Sequence, residues 1–170
     1  GYGEHIMNQK IYTIGFTKKT AQKFFELLNQ NNIEVVLDIR LNNTSQLAGF
    51  AKYPDIKYFL NEISNINYIH DTEFSPTEAT LKKYKKKEIK WDQYVEEFHK
   101  TMVGRNIHEH IKSHYTIDKK ICLLCSEPVA DQCHRSLVGN KFKEIFNDLE
   151  IIHFKDITYR DGNQVQILDI

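Results

Sequence analysis

The chain has 170 residues, 41% of them hydrophobic, which is enough for one ordinary core and short for two. Its 23 basic and 23 acidic residues cancel, so no global field draws it to nucleic acid or to a membrane, and any polyanion must be met by a local patch. Three cysteines, an odd number, argue against a disulfide scaffold and for a reducing compartment, and no apolar run approaches the roughly 20 residues of a membrane span. The expectation is a cytoplasmic protein with no membrane partner. Gly1 to Ile6 precede Met7 and read as a cloning remnant, with no visible signal peptide, which leaves 7–170 as a single domain.

Lys10 to Gly15 reads as a first strand ending at a glycine, and Thr17 is placed to cap the helix that follows. Ala21, Phe24, Phe25 and Leu28 recur at helical spacing as far as Asn31-Asn32. Glu34 to Ile39 is a second strand, apolar until Asp38, so strand, helix and strand form one βαβ unit with parallel pairing. Arg40 to Pro54 is a loop long enough to suggest a function. Asp55 to Ile63 reads as a short helix with Phe59, Leu60 and Ile63 inward, and Asn67 to His70 as a third strand. After a turn from Asp71 to Pro76, Thr77 to Lys87 and Trp91 to His114 read as helices, the second interrupted near Gly104.

Ile121 to Cys125 has the length and composition of a buried strand, stopped by Ser126-Glu127-Pro128. Asp131 is a good N-cap for a helix whose stripe is Val138, Phe142, Ile145 and Phe146, which puts Cys133, His134 and Arg135 in its first turn. Ile151 to Phe154 is a further strand, and the tail from Ile157 to Ile170 carries the hairpin signal Asp161-Gly162. The fold class expected is therefore α/β, three-layer, with a mainly parallel sheet flanked by helices and a C-terminal β-hairpin. The edges of that hairpin could pair with a second copy, but the oligomeric state is not specified.

In an open parallel sheet, ligands bind beyond the C-terminal ends of the strands. Those ends deliver Gly15 and Thr17, Asp38 and Arg40, His70, and Ser126 and Glu127, followed by the Cys133-His134-Arg135 turn, while the strand bodies are almost wholly apolar. Unpaired N–H groups at the start of that last helix favour an anion. Arg40 and Arg135 are planar forks suited to phosphate or carboxylate, although Asp38 or Glu127 could hold them as plain ion pairs. Glu127 and Asp38 are candidate acid/base or ribose-binding carboxylates, and equally candidate partners for the arginines. His70 and His134 are candidate proton shuttles.

Cys133 reads either as a nucleophile or redox-sensitive thiol at a helix start, or as a small packing residue. A zinc site built on Cys122-X-X-Cys125 with Cys133-His134 is not expected, because Cys122 and Cys125, three apart in a strand, point to opposite faces and cannot share one tetrahedral ion. Lys82, Lys83, Tyr84 and Lys86 belong to the one concentrated basic stretch; interleaved aromatics suit phosphates and bases, but such a run is also what a solvated helix face looks like.

These residues resemble the DUF488 family, a bacterial and archaeal domain of unknown function. The resemblance rests on Thr13-Ile14-Gly15 with Thr17, on Asp38-Ile39-Arg40, on Tyr68 with His70, and on Leu123 to Glu127 followed by Cys133-His134-Arg135. It covers Ile11 to Phe154 and implies an α/β fold without an established reaction. Asn43 stands where the family usually has a proline, Phe74-Ser75 replaces a glycine-containing turn, and the tail is an addition. The function expected is a hydrolase or group-transfer enzyme acting on a phosphate- or ribose-bearing substrate, a nucleotide or nucleic-acid component, with no metal or organic cofactor demanded. The alternatives are a non-catalytic module sensing the same small anionic ligand or nucleic acid, and a thiol-based redox protein centred on Cys133.

Overall fold

The computed structural model describes residues 9–44, 48–126, 133–160 and 163–169. Six strands form one sheet in the order β3-β2-β4-β1-β5-β6: β1 (Lys10–Gly15), β2 (Val35–Asp38), β3 (Asn67–His70), β4 (Ile121–Cys125), β5 (Glu150–Arg160) and β6 (Asn163–Asp169). The pairings among the first five are parallel, and β6 runs antiparallel to β5. The expected tail strand therefore begins as a continuation of β5, and the proposed turn residues 161–162 lie outside the described residues.

Alternation along the strands divides the core into two layers. Ile11, Val35, Leu37, Leu123 and Cys125 face α4 (Trp91–Gly104), α5 (Ile107–His114) and α6 (His134–Ile145). Tyr12, Ile14, Val36, Cys122 and Leu124 face α1 (Ala21–Gln30) and α2 (Asp55–Tyr58). Cys122 and Cys125 therefore lie on opposite sides of the sheet, as the strand period requires. α3 (Glu78–Lys85) packs on the first layer through Tyr84. Among the described residues no helix is long and apolar enough to cross a membrane.

Four local expectations are corrected. β1 and β2 are parallel but do not pair, because β4 lies between them and bonds to both; this long-range insertion leaves no trace in a thirty-residue window. The cap of α1 is Thr20, whose Oγ1 accepts from the Lys23 N–H at 3.2 Å, since Lys18 at φ 64° turns the chain first. The N-cap position of α6 is Cys133, while Asp131 lies outside the described residues. Ile63 is 70% exposed, because α2 runs on as a π-helical turn, Phe59–Ile63, that rotates its last residues off the helical stripe. The interruption near Gly104 is real: α4 stops there and Asn106, at φ 52°, redirects the chain into α5.

Asp71, just past β3, ties that strand end to α5. Its Oδ2 accepts from Tyr115 Oη at 2.6 Å and lies 2.7 Å from His110 Nε2. Burial pushes this carboxyl up, but the Tyr115 and His110 hydrogen bonds outweigh it and hold it below the ordinary value of 3.8. A depressed folded-state pKa stabilises above the unfolded value and is lost as pH falls through the folded one. Asp71→Asn is thus expected to be less stable than the parent at neutral pH and to converge with it in acid, as urea titrations across pH 2 to 7 would read out.

Candidate functional site

β1 and β4 are neighbours, yet α1 leaves β1 toward one face and α6 leaves β4 toward the other. The chain parts at that point, and a crevice opens beyond the strand ends. A cavity of about 310 Å³ occupies it, within the range of small-molecule sites. The strand ends supply Phe16, Arg40, Leu41, Asn42 and Ser126, and the start of α6 supplies Cys133 and His134. The remaining lining comes from Pro76, from Leu81, Tyr84 and Lys85 on α3, and from Trp91 and Tyr94 on α4.

Arg40 is fixed before any ligand arrives. Asp38 Oδ1 accepts from its Nε at 2.9 Å and from its backbone N–H at 3.2 Å, and Asp38 Oδ2 accepts from its Nη2 at 2.7 Å. Nη2 also donates to the Ala51 carbonyl at 2.7 Å, and the guanidinium lies 5.0 Å from the centre of the Phe16 ring. Burial alone would lower the Arg40 pKa, but the Asp38 carboxylate outweighs it and keeps the group charged. Nη1 is enclosed by protein and has no hydrogen-bond partner among the described residues. A buried guanidinium N–H left without an acceptor is costly unless something else supplies one.

The Asp38 carboxylate is fully committed. Its Oδ2 accepts a second bond from Tyr68 Oη at 2.5 Å, and Tyr68 in turn accepts from Asn43 Nδ2 at 3.0 Å. Asn43 thus extends the network that seats Arg40. His70 Nε2–H donates to the Arg40 carbonyl at 2.7 Å and steadies the same loop from β3. Neither Asp38 nor His70 lines the cavity, so both fit positioning roles rather than contact with a ligand.

His134 does reach the cavity. Its Nε2–H donates to the Ile39 carbonyl at 2.9 Å, which leaves Nδ1 as the ring's acceptor. Cys133 lines the cavity beside it, with Sγ 2.7 Å from Cys125 Sγ. The hydrogen bond with Cys125 and burial push the Cys133 thiol well above its ordinary value, and nearby Arg135 offsets only part of this. A helix start does not make this thiol a thiolate by itself.

Of the expected site residues, the structure brings Arg40, Tyr84, Ser126, Cys133 and His134 together around the cavity. Gly15 and Thr17 stand just behind it, the Thr17 N–H donating to the Ser126 carbonyl at 2.9 Å. Arg135 is not part of the lining: its side chain is 0% exposed and points beneath the floor, with Nη1 3.6 Å from Cys125 Sγ. Glu127 lies outside the described residues. Lys83 pairs with Glu97 at 2.6 Å, and Lys82 and Lys86 are exposed away from the cavity, whereas the neighbouring Lys85 lines it.

Sequence reasoning set Tyr84 among aromatics suited to bases but missed the wall that it forms with Trp91 and Tyr94. The Tyr84, Trp91 and Tyr94 rings lie 5.8, 4.9 and 5.1 Å apart, with Trp91 and Tyr94 stacked at 14°. The signal was present as Trp91, Tyr94 and Phe98 at helical spacing on α4, but it is also the pattern of a core stripe, and Tyr94 and Phe98 do serve the core.

A family model described as "Domain of unknown function DUF488" matches residues 20–142, more than half of the chain. No curated protein and no solved structure matches it.

Proposed function

The chain belongs to the DUF488 family, whose description assigns no activity, and we propose from the geometry of its cavity that it is a cytoplasmic enzyme binding a nucleotide or a nucleic-acid component for hydrolysis or group transfer. The observation that carries this reading is one cavity lined both by aromatic rings and by cations: Tyr84 and Trp91 on one side, and as the charges Lys85 and Arg40, the latter held by Asp38. Aromatic faces stack bases of any sequence, and guanidinium N–H groups take phosphate oxygens. Arg40, which lines the cavity and stays charged beside Asp38, is the cation such an anion would meet. Asp38 and Tyr68 hold the guanidinium in place, so little ordering remains to be done on binding.

At the reactive end stand Ser126 and His134. His134, held through Nε2, offers Nδ1 as a proton acceptor. Glu127, adjoining Ser126 in the chain, is the candidate carboxylate partner. Because only Lys85 of the basic run lines the cavity, the substrate suited to it is a mononucleotide or a strand end rather than a long polyanion.

Trp91 is the single tryptophan of the chain, so its emission reports on the site alone. Titration with a panel of nucleoside monophosphates and short single-stranded oligonucleotides is expected to quench it saturably, while inorganic phosphate alone leaves it unchanged. Emission that stays constant across the panel would refute stacking on this wall. A sensor would show the same quench with no product formed and with His134→Ala leaving the protein's response intact; loss of turnover in that variant with retained quenching is the enzyme's signature.

A further inference from the structure

The cavity floor holds a group of residues that the nucleotide reading does not require. Cys125 ends β4, Cys133 occupies the N-cap position of α6, and His134 is the first residue of that helix. One donor atom from each lies within 4.8 Å of the other two. We propose that Cys125, Cys133 and His134 form a zinc site whose fourth position opens into the cavity.

Zinc bonds of about 2.3 Å to sulfur and 2.0–2.1 Å to nitrogen set tetrahedral donor separations of roughly 3.5–3.8 Å. The triad meets that with local adjustment: the two sulfurs, now 2.7 Å apart, must part by roughly 1 Å as the ion enters. Two thiolates and an imidazole make a soft set that selects zinc over magnesium or calcium. Cys122 cannot complete the set, because it sits in the opposite layer of the core. Three protein ligands with an open fourth position are the arrangement of catalytic rather than structural zinc, and it is Cys133 and His134 that line the cavity.

The surroundings already match a metal's outer shell. His134 Nε2–H donates to the Ile39 carbonyl at 2.9 Å, which fixes the tautomer that leaves Nδ1 as the ligand atom. Arg135 Nη1 donates toward Cys125 Sγ at 3.6 Å, a contact that favours a sulfur carrying negative charge. Binding is balanced as one Zn²⁺ taken up and two thiol protons released, so affinity falls as pH is lowered. The site stands whether or not the cavity takes a nucleotide. If it does, the open position would hold a water beside Arg40 and Ser126, and His134 would serve as ligand rather than as free base; that consequence alone rests on the reading above.

The test loads the reduced full-length chain with zinc chloride, desalts it and measures metal per chain, with cobalt(II) as the spectroscopic probe. The expected result is one zinc per chain, a thiolate-to-cobalt charge-transfer band with tetrahedral d–d bands, and at least a tenfold slower alkylation of two of the three cysteines. Cys125→Ser and Cys133→Ser lose stoichiometric binding, while Cys122→Ser keeps it and controls for folding. Wild-type chain that takes up neither metal overturns the proposal, as does uptake that survives both serine variants. A Cys125–Cys133 disulfide, seen as a mass two hydrogens lighter together with refusal of zinc after reduction, overturns it equally. Trp91 quenching by nucleotide is read on the same samples: zinc without quenching sinks the nucleotide reading alone, and quenching without zinc sinks this one alone.

Discussion

Asp38→Ala is expected to cost the fold about 3–5 kcal/mol, the range for removing one partner of a buried ion pair, and to lower Tm by roughly 10 °C. The carboxylate is 0% exposed and Arg40 only 6%, so neither charge has water to fall back on. With Asp38 gone, the guanidinium keeps the Ala51 carbonyl and the Phe16 face and loses both bonds to the carboxylate. Tyr68 Oη loses its acceptor at the same time. Tyr68→Phe, which removes one hydrogen bond and leaves the ion pair, is expected to cost about 1 kcal/mol. Chemical denaturation separates the two. An Asp38→Ala penalty no larger than that of Tyr68→Phe would mean that the pair does not hold the Arg40 loop in place.

The second large effect is on affinity. Base stacking on an aromatic side chain is worth about 1–3 kcal/mol by alanine substitution, so Trp91→Ala is expected to weaken nucleotide binding by roughly 5- to 150-fold. Trp91→Phe should recover most of that, because a ring face remains. Tyr84→Ala is expected to act in the same direction, whereas Tyr94 is a poor probe: it is buried in the core and its loss would unsettle α4. Titration calorimetry gives the affinities without needing the tryptophan, and unfolding curves confirm that each variant remains folded. Equal affinities for the parent and Trp91→Ala would remove the aromatic wall from the site.

What could be read ahead of the coordinates follows the range of the interactions involved. β1, β3 and β4 are short runs rich in β-forming residues and bounded by turns, and their bounds agree with the expectation. The opposite facing of Cys122 and Cys125 follows from a strand period of two, and the stop at Gly104 from a poor helix former beside an asparagine able to take positive φ. The three-layer class follows from strands alternating with helices. The placing of β4 between β1 and β2 does not, since it depends on partners as distant as Val35 with Ile121 and Tyr12 with Cys122.

The site divides in the same way. That polar residues collect at the strand ends is visible in the sequence, and Arg40, Ser126, Cys133 and His134 do line one cavity. That Arg135 points under the floor is a matter of helical phase: consecutive residues differ by about 100°, and once His134 faces the cavity, Arg135 turns away from it. The convergence of Cys125 with Cys133 and His134 is not read from the sequence, because the set tested there includes Cys122, whose opposite facing rules out the four together but not the three without it. Tyr84 and Trp91 read as parts of one basic stretch, as compatible with a solvated helix face as with base stacking, until α3 and α4 fold over the strand ends.

The central claim is that this cavity receives a nucleotide with its base on the α3–α4 rings and its phosphate at Arg40. A crystal structure grown with a nucleoside monophosphate that quenches Trp91 tests it most directly. The account predicts the base against Tyr84 or Trp91 and a phosphate oxygen within hydrogen-bond distance of the Arg40 guanidinium or Lys85 Nζ. A nucleotide bound elsewhere on the chain, with the cavity filled only by water, would contradict it.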